Sequence, residues 1–151
     1  MVSHRAPGGV IHDYSLRLFV ERGYIASSNW RNSDGPFIHE LDGVKNSPWW
    51  RFPKDSIFDD TAYDFYTDSA PERYELKSPG EMLEIWKEEF DTLADEGRMI
   101  NFVLHPQFIG RVSRVNMLKD LIGYMLSRGA WIDTNRSVAE WVLKESGMLS
   151  K

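Results

Sequence analysis

From Ser78 onward the chain repeats one pattern: a stretch of helical period is closed by a glycine and followed by a short apolar run. The sharpest start signal is Ser78-Pro79-Gly80-Glu81, which offers an N-cap hydroxyl, a proline at the first helical position and a capping-box glutamate. Met82, Leu83, Trp86, Phe90 and Leu93 then share one face, Gly97 ends the helix, and Met99 to Leu104 predict a nearly continuous apolar strand. The spacing predicts a further helix from about Ser113 to Arg128, with Val115, Leu118, Leu121, Ile122 and Met125 inward. Gly129 follows, then a short strand from Ala130 to Asp133 and a last helix around Ser137 to Glu145. Such alternation with short connections implies right-handed crossovers onto a parallel sheet, with functional groups gathered at the carboxyl ends of the strands. His105 stands at such an end.

Upstream the pattern is looser. After the Pro7-Gly8-Gly9 turn, Asp13 is expected to cap a short helix with Leu16, Phe19 and Val20 on one face, ended by Gly23. Tyr24 to Ser27 reads as a strand. Residues from about 28 to 77 are rich in Asn, Asp, Ser, Pro and aromatics, and are expected to form a functional, aromatic-lined loop in which short strands hide. With 151 residues and 42% apolar content, the chain suits one domain. Its net charge of −5 is spread without a basic stripe, which argues against a nucleic-acid partner. Cysteine is absent, so disulfides, a thiolate nucleophile and Cys-ligated zinc are excluded. No apolar run reaches the roughly 20 residues of a membrane span and no signal-like core opens the chain, so a soluble, cytoplasmic protein is the default expectation.

His105 is the first candidate for chemistry. It follows the apolar run and precedes Pro106, so its imidazole is expected at a strand tip. A histidine there serves equally as a proton-transfer group or as a structural residue bonded to a loop carbonyl. The run Leu104-His105-Pro106-Gln107-Phe108-Ile109-Gly110-Arg111-Val112-Ser113-Arg114, followed by a helix and Gly129-Ala130-Trp131-Ile132-Asp133-Thr134, resembles the closing motif of the polysaccharide deacetylase family. In particular it is similar to the branch with allantoinase-like, cyclic-imide-hydrolysing and peptidoglycan deacetylase-like enzymes. The resemblance implies that His105 is the general acid, protonating a leaving nitrogen, a task suited to imidazole. Leu104 would wall the pocket. Arg5-Ala6-Pro7-Gly8-Gly9 resembles the family's Arg-x-Pro motif, which implies that Arg5 orients a catalytic carboxylate through its planar fork. The stretch Arg51 to Phe65 resembles the branch's segment with paired aspartates, so Asp59 and Asp60 are candidates for catalytic support. On an extended backbone they point opposite ways, and one is expected to reach the site while the other caps a turn. Trp49, Trp50 and Tyr63 are candidates for an apolar wall or sugar-stacking platform, with core burial as the commoner fate of such residues.

The fold implied is α/β, the C-terminal part of a deformed (β/α) barrel with parallel strands and outer helices. The resemblance covers nearly the whole chain but only the later half of a normal domain. The family's divalent metal, zinc or similar, is held by one aspartate and two histidines from motifs that precede Arg-x-Pro, and its general base is a further aspartate. None of these is expected in this chain, and His4, His12 and His39, taken as surface or loop residues, have no ligand-pair spacing. No metal is therefore expected on the chain alone. Three functions stay open: a carbon–nitrogen hydrolase part acting on a carbohydrate or small cyclic amide once another segment or chain supplies the first half; a non-catalytic remnant or partner-binding subunit, self-associating through an open strand edge; and a glycan-binding module built on the Trp-rich loop.

Overall fold

In the computed structural model, which describes residues 3–30, 35–38, 50–53, 56–64 and 76–147, the elements run β1 (Ser3–His4), a 3-10 turn at Pro7–Gly9, α1 (Asp13–Glu21), β2 (Ala26–Trp30), β3 (Phe37–Ile38) and β4 (Trp50–Pro53). A second 3-10 turn at Ser56–Phe58 leads to α2 (Thr61–Asp64), α3 (Pro79–Asp95), α4 (Pro106–Ile109), α5 (Val112–Ser127) and α6 (Asn135–Glu145). They form two units: Met1–Lys54 with Asp133–Lys151, and Asp55–Ile132.

The first unit carries the sheet, in the order β1-β2-β4-β3. β1 pairs parallel to β2, with Ser3 opposite Ala26, and β2 pairs parallel to β4, with Ala26 opposite Trp50. β3 runs antiparallel to β4, so the sheet is mixed and the expected loop holds two strands. α1 is the crossover between β1 and β2. Its N-cap is His12 rather than the expected Asp13: His12 has the extended backbone, and its Nδ1 accepts from Tyr14 N at 3.2 Å. Asp13, one residue on, is already helical and lies in the first turn, where a carboxylate complements the helix dipole. Leu16 is fully buried against Ile11, Phe19, Val20 and Tyr24. Gly23 takes φ 78, which lets Tyr24 N return to Phe19 O at 3.0 Å and close the helix. α6 is capped by Thr134, whose hydroxyl accepts from Ser137 N, and its Val142 and Leu143 pack with Ile25 and Val138.

The second unit is helical. Both halves of the capping box at Ser78 and Glu81 form, so α3 begins where the sequence places it, and Gly97, at φ 66, follows its end. α3 packs on α5 around Phe58, Tyr63, Met82, Trp86, Phe90, Ile109, Met117, Leu121 and Met125. Trp86 is fully buried, its Nε1 donates to Ile57 O at 2.7 Å, and its ring meets Phe102 edge-on at 5.1 Å. Two expected strands are absent here. Between Met99 and Leu104 only Val103 bridges, parallel to Asp59, because its partner segment turns into α2 two residues later. From Ala130 to Asp133 no strand forms: Ala130 N bonds back to Met125 O, closing α5, and the Asp133 carboxylate accepts from Thr134 N ahead of α6.

A charged pair lies inside this core. Arg114 of α5 is 7% exposed, forms an ion pair with Asp64 and donates to Lys77 O at 2.5 Å. Burial pushes the Asp64 carboxyl above its ordinary 3.8; Arg114 opposes this and the charge of Asp60 adds to it.

Two outcomes are expected. Trp86→Ala removes both the ring contacts and the donor to Ile57 O, and denaturant unfolding should show a loss of about 3–5 kcal/mol. Folded Asp64 binds its proton more tightly than the unfolded chain does, so its stabilising linkage is complete below 3.8 and is lost as pH rises through the raised value. The unfolding free energy of wild type should therefore fall relative to Asp64→Asn as pH rises toward neutrality; a pH-independent difference contradicts this.

Candidate active site around Asp60 and His105

Two short segments of the second unit run side by side. Val103 N donates to Phe58 O at 2.9 Å, and Asp60 N donates to Val103 O at 3.1 Å. Both segments then bend into helical turns, α2 at Thr61 and α4 at Pro106. Pro106 suits the first helical position because the amide it lacks would have no helical partner there. His105 is the extended N-cap of α4, and its carbonyl accepts from Phe108 N and Ile109 N at 2.8 and 3.0 Å. Gly110 closes the turn, and a Cβ there would sit 2.3 Å from Pro106 O, so any side chain forces the backbone apart.

This geometry sets the Asp60 carboxylate against one residue. Oδ2 accepts from His105 N at 2.7 Å, and Oδ1 lies 2.6 Å from His105 Nδ1. The Asp60 side chain is 0% exposed and that of His105 35%. With Nδ1 donating to a carboxylate, Nε2 remains as the ring's other polar atom. Asp59 comes to the same ring from farther off, because the chain turns at Asp60 instead of continuing as a strand. Its Oδ1 accepts from Thr61 N at 3.1 Å and Thr61 Oγ1 at 2.5 Å, capping α2, and lies 3.9 Å from His105 Nδ1. The Phe108 ring stands edge-on to the imidazole at 6.0 Å.

The other candidates lie as follows. Leu104, beside His105, is 37% exposed. Tyr63 is not an open wall: its ring is buried beside Trp86, and its hydroxyl donates to Ile57 O at 2.8 Å, which commits it to the core. Trp50 pairs through its backbone in β4, and Trp49 falls outside the described residues. Arg5 belongs to the first unit, where its Nε donates to Ser28 Oγ at 2.8 Å. Next to it Ala6 N donates to Asn29 Oδ1 at 2.6 Å, and Asn29 Nδ2 donates to Ser27 Oγ at 2.7 Å. His4 is neither surface nor loop. It lies in β1 with its ring stacked on Phe19 at 4.1 Å, and desolvation lowers its pKa. His12 is the exposed cap of α1, and His39 falls outside the described residues. Sequence reasoning missed Asp64 and Arg114. The signal was there: Arg114 shares a helical stripe with Met117, Leu121 and Met125, and a charge on an apolar stripe implies a buried partner.

Among the described residues, the group of three that approaches a metal-ligand set is Asp59, Asp60 and His105, with ligand atoms within 4.8 Å of one another. It does not fit a divalent ion. Asp60 Oδ1 and His105 Nδ1 hold each other, Asp60 Oδ2 holds a backbone N–H, and Asp59 Oδ1 holds Thr61. A cation on Asp60 Oδ1 and His105 Nδ1 would have to displace the proton between them, and the set lacks the two histidines implied by the family resemblance. No helix of the described residues is long and apolar enough to cross a membrane.

No family model and no curated protein matches the sequence. Solved structures do match. A protein assigned as a polysaccharide deacetylase from Mycobacterium smegmatis aligns with 95% of this chain and 50% of its own, at TM-score 0.85 and 21% identity. Puue allantoinase aligns with 83% of this chain and 41% of its own, at TM-score 0.67 and 22% identity. A protein assigned as a polysaccharide deacetylase from Pseudomonas aeruginosa PAO1 aligns with 87% of this chain and 43% of its own, at TM-score 0.70 and 23% identity. The chain thus spans about half the length of the structures it matches. Over that length it has the α/β fold of polysaccharide deacetylases and of Puue allantoinase.

Proposed function

We propose that the chain carries the proton-donating part of a hydrolase of non-peptide carbon–nitrogen bonds, acting on an N-acetylated glycan or a small cyclic amide. The observation that supports this most directly is the double hold of Asp60 on His105, through the backbone N–H and through Nδ1. A carboxylate on Nδ1 fixes both the ring's orientation and the nitrogen that stays bound, so Nε2–H is the proton available for transfer. When the tetrahedral adduct of an amide collapses, the electron pair of the C–N bond passes to nitrogen. Nitrogen takes the proton from His105 Nε2 and leaves as the amine, and solvent returns a proton to the ring. Asp60 stays paired with the imidazole throughout and balances its charge while it is protonated.

The attacking water and its activation lie outside this donor set. The fold likeness extends over only half of the matched structures, so the reading includes a second segment or chain that supplies the divalent metal site and the general base. Leu104, half open beside His105, would flank the substrate. A second reading is a partner-binding subunit without turnover. It is favoured by β1, which stands at one end of the strand order with β2 as its neighbour there.

Two experiments separate these readings. The chain incubated with zinc and dialysed should retain far less than one equivalent of metal and should hydrolyse neither acetylated chitooligosaccharides nor a cyclic imide. Stoichiometric zinc together with turnover would sink the division of labour. Joining the chain to the half of the M. smegmatis protein that it does not match should give amide hydrolysis that falls roughly 10²–10⁴-fold in kcat on His105→Gln, with KM little changed. An active fusion indifferent to that substitution removes His105 from the reaction.

A further inference from the structure

Segments 59–64 and 105–114 are tied together twice. The first tie is Asp60 to His105. The second is Asp64 to Arg114, at the far ends of the same two segments: Asp64 lies one α2 turn beyond Asp60, and Arg114 lies beyond α4 at the start of α5. α2 is the rigid spacer on one side, since Asp64 N donates to Asp60 O at 3.0 Å. On the other side, Gly110 N donates to Pro106 O at 3.1 Å, Arg111 N to Phe108 O at 3.3 Å and Val115 N to Arg111 O at 2.8 Å, so Gly110 and Arg111, the two residues between α4 and α5, are bonded to both helices. Arg114 also reaches past Asp64. It donates to Lys77 O and contacts Met82 Sδ at 3.5 Å, while Lys77 N donates to Tyr63 O at 3.0 Å, so one guanidinium holds the end of α2 and the approach to α3.

We propose that Arg114 is a positioning residue: through its buried pair with Asp64 it sets α2, and hence Asp60, in register with His105. This rests on the reading of Asp60 and His105 as the proton-transfer pair. Stability alone is a poor reason for such a pair, because desolvating two charges commonly offsets their attraction and an apolar pair of similar volume is often as stable. The Asp64 side chain is only 7% exposed, and its Oδ2 is buried with no hydrogen-bond partner among the described residues. The carboxylate is therefore not optimised for hydrogen bonding. What the pair supplies is direction: a planar fork meets several acceptors at once, which an apolar contact or a lysine cannot reproduce.

The test reads the His105 Nδ1–H proton by NMR in the chain as it is, with assignment by its loss in His105→Gln. Wild type should show a strongly downfield imidazole proton protected from solvent exchange, and Asp60→Ala should abolish it. If wild type lacks that signal, or Asp60→Ala keeps it, the proton-transfer pair itself fails. Given the pair, the apolar double variant Arg114→Met with Asp64→Leu should keep a cooperative thermal transition while exchange of the Nδ1–H speeds up about tenfold or more. Arg114→Lys should fall between the two. A folded double variant with unchanged Nδ1–H protection overturns the proposal. Should the double variant not fold, Asp64→Asn serves in its place: it keeps the side chain's shape but removes the charge that directs the fork, and unchanged protection there overturns the proposal equally.

Discussion

A carboxylate taken wholly out of water needs donors for both oxygens, and Asp60 finds both on one residue, the backbone N–H and the ring of His105. The rest of the second unit is arranged around that requirement. The Val103 bridge lays the two segments side by side, so that the residues beyond it, Asp60 and His105, can meet. The backbone then turns away on each side into α2 and α4, which leaves the imidazole at a bend and its carboxylate beneath it. The aromatic core of Phe58, Phe102 and Trp86 keeps the bridge in place. Phe58 and Phe102 lie next to the bridged residues, and their rings meet edge-on at 5.2 Å.

Local signals in the sequence were legible where they are complete within a few residues. The helix start at Ser78 and the stop at Gly97 depend on side chain and backbone within one turn, and both hold. Strands are different, because a strand is defined by a partner that may lie anywhere in the chain. The apolar run from Met99 to Leu104 has the composition of a strand, but its neighbour offers one bridging residue before α2 begins, so the run passes the core with Val103 buried, Ile100 and Phe102 partly buried and Leu104 exposed. β3 and β4 form inside a stretch that reads as loop because they need each other and β2. The cap of α1 moved by one residue because His12 can itself accept a hydrogen bond, through Nδ1.

The candidate site was legible in its residues and not in its wiring. His105 is placed by an apolar run ending in a proline, a pattern visible in the chain. Which of two adjacent aspartates meets it depends on where the extended backbone ends, and Thr61 decides that by taking the Asp59 carboxylate as its cap. Tyr63 shows the converse. An aromatic beside charged residues suggests a binding wall, yet its hydroxyl has an acceptor at Ile57 O that Trp86 also uses, and this shared carbonyl draws both rings inward.

The same wiring bears on where a metal can act. Of the atoms of Asp59, Asp60 and His105 that converge, Asp60 Oδ1 and His105 Nδ1 lie 2.6 Å apart and share a proton, so an ion between them would have to displace it. Coordination through Nδ1 would take the ring away from Asp60, a cost that falls on the contact holding the site together. Proton transfer makes no such demand. It requires a ring held through one nitrogen and a second nitrogen not engaged by the aspartate, and that is what a carboxylate bound to both the N–H and the Nδ1 of one histidine provides.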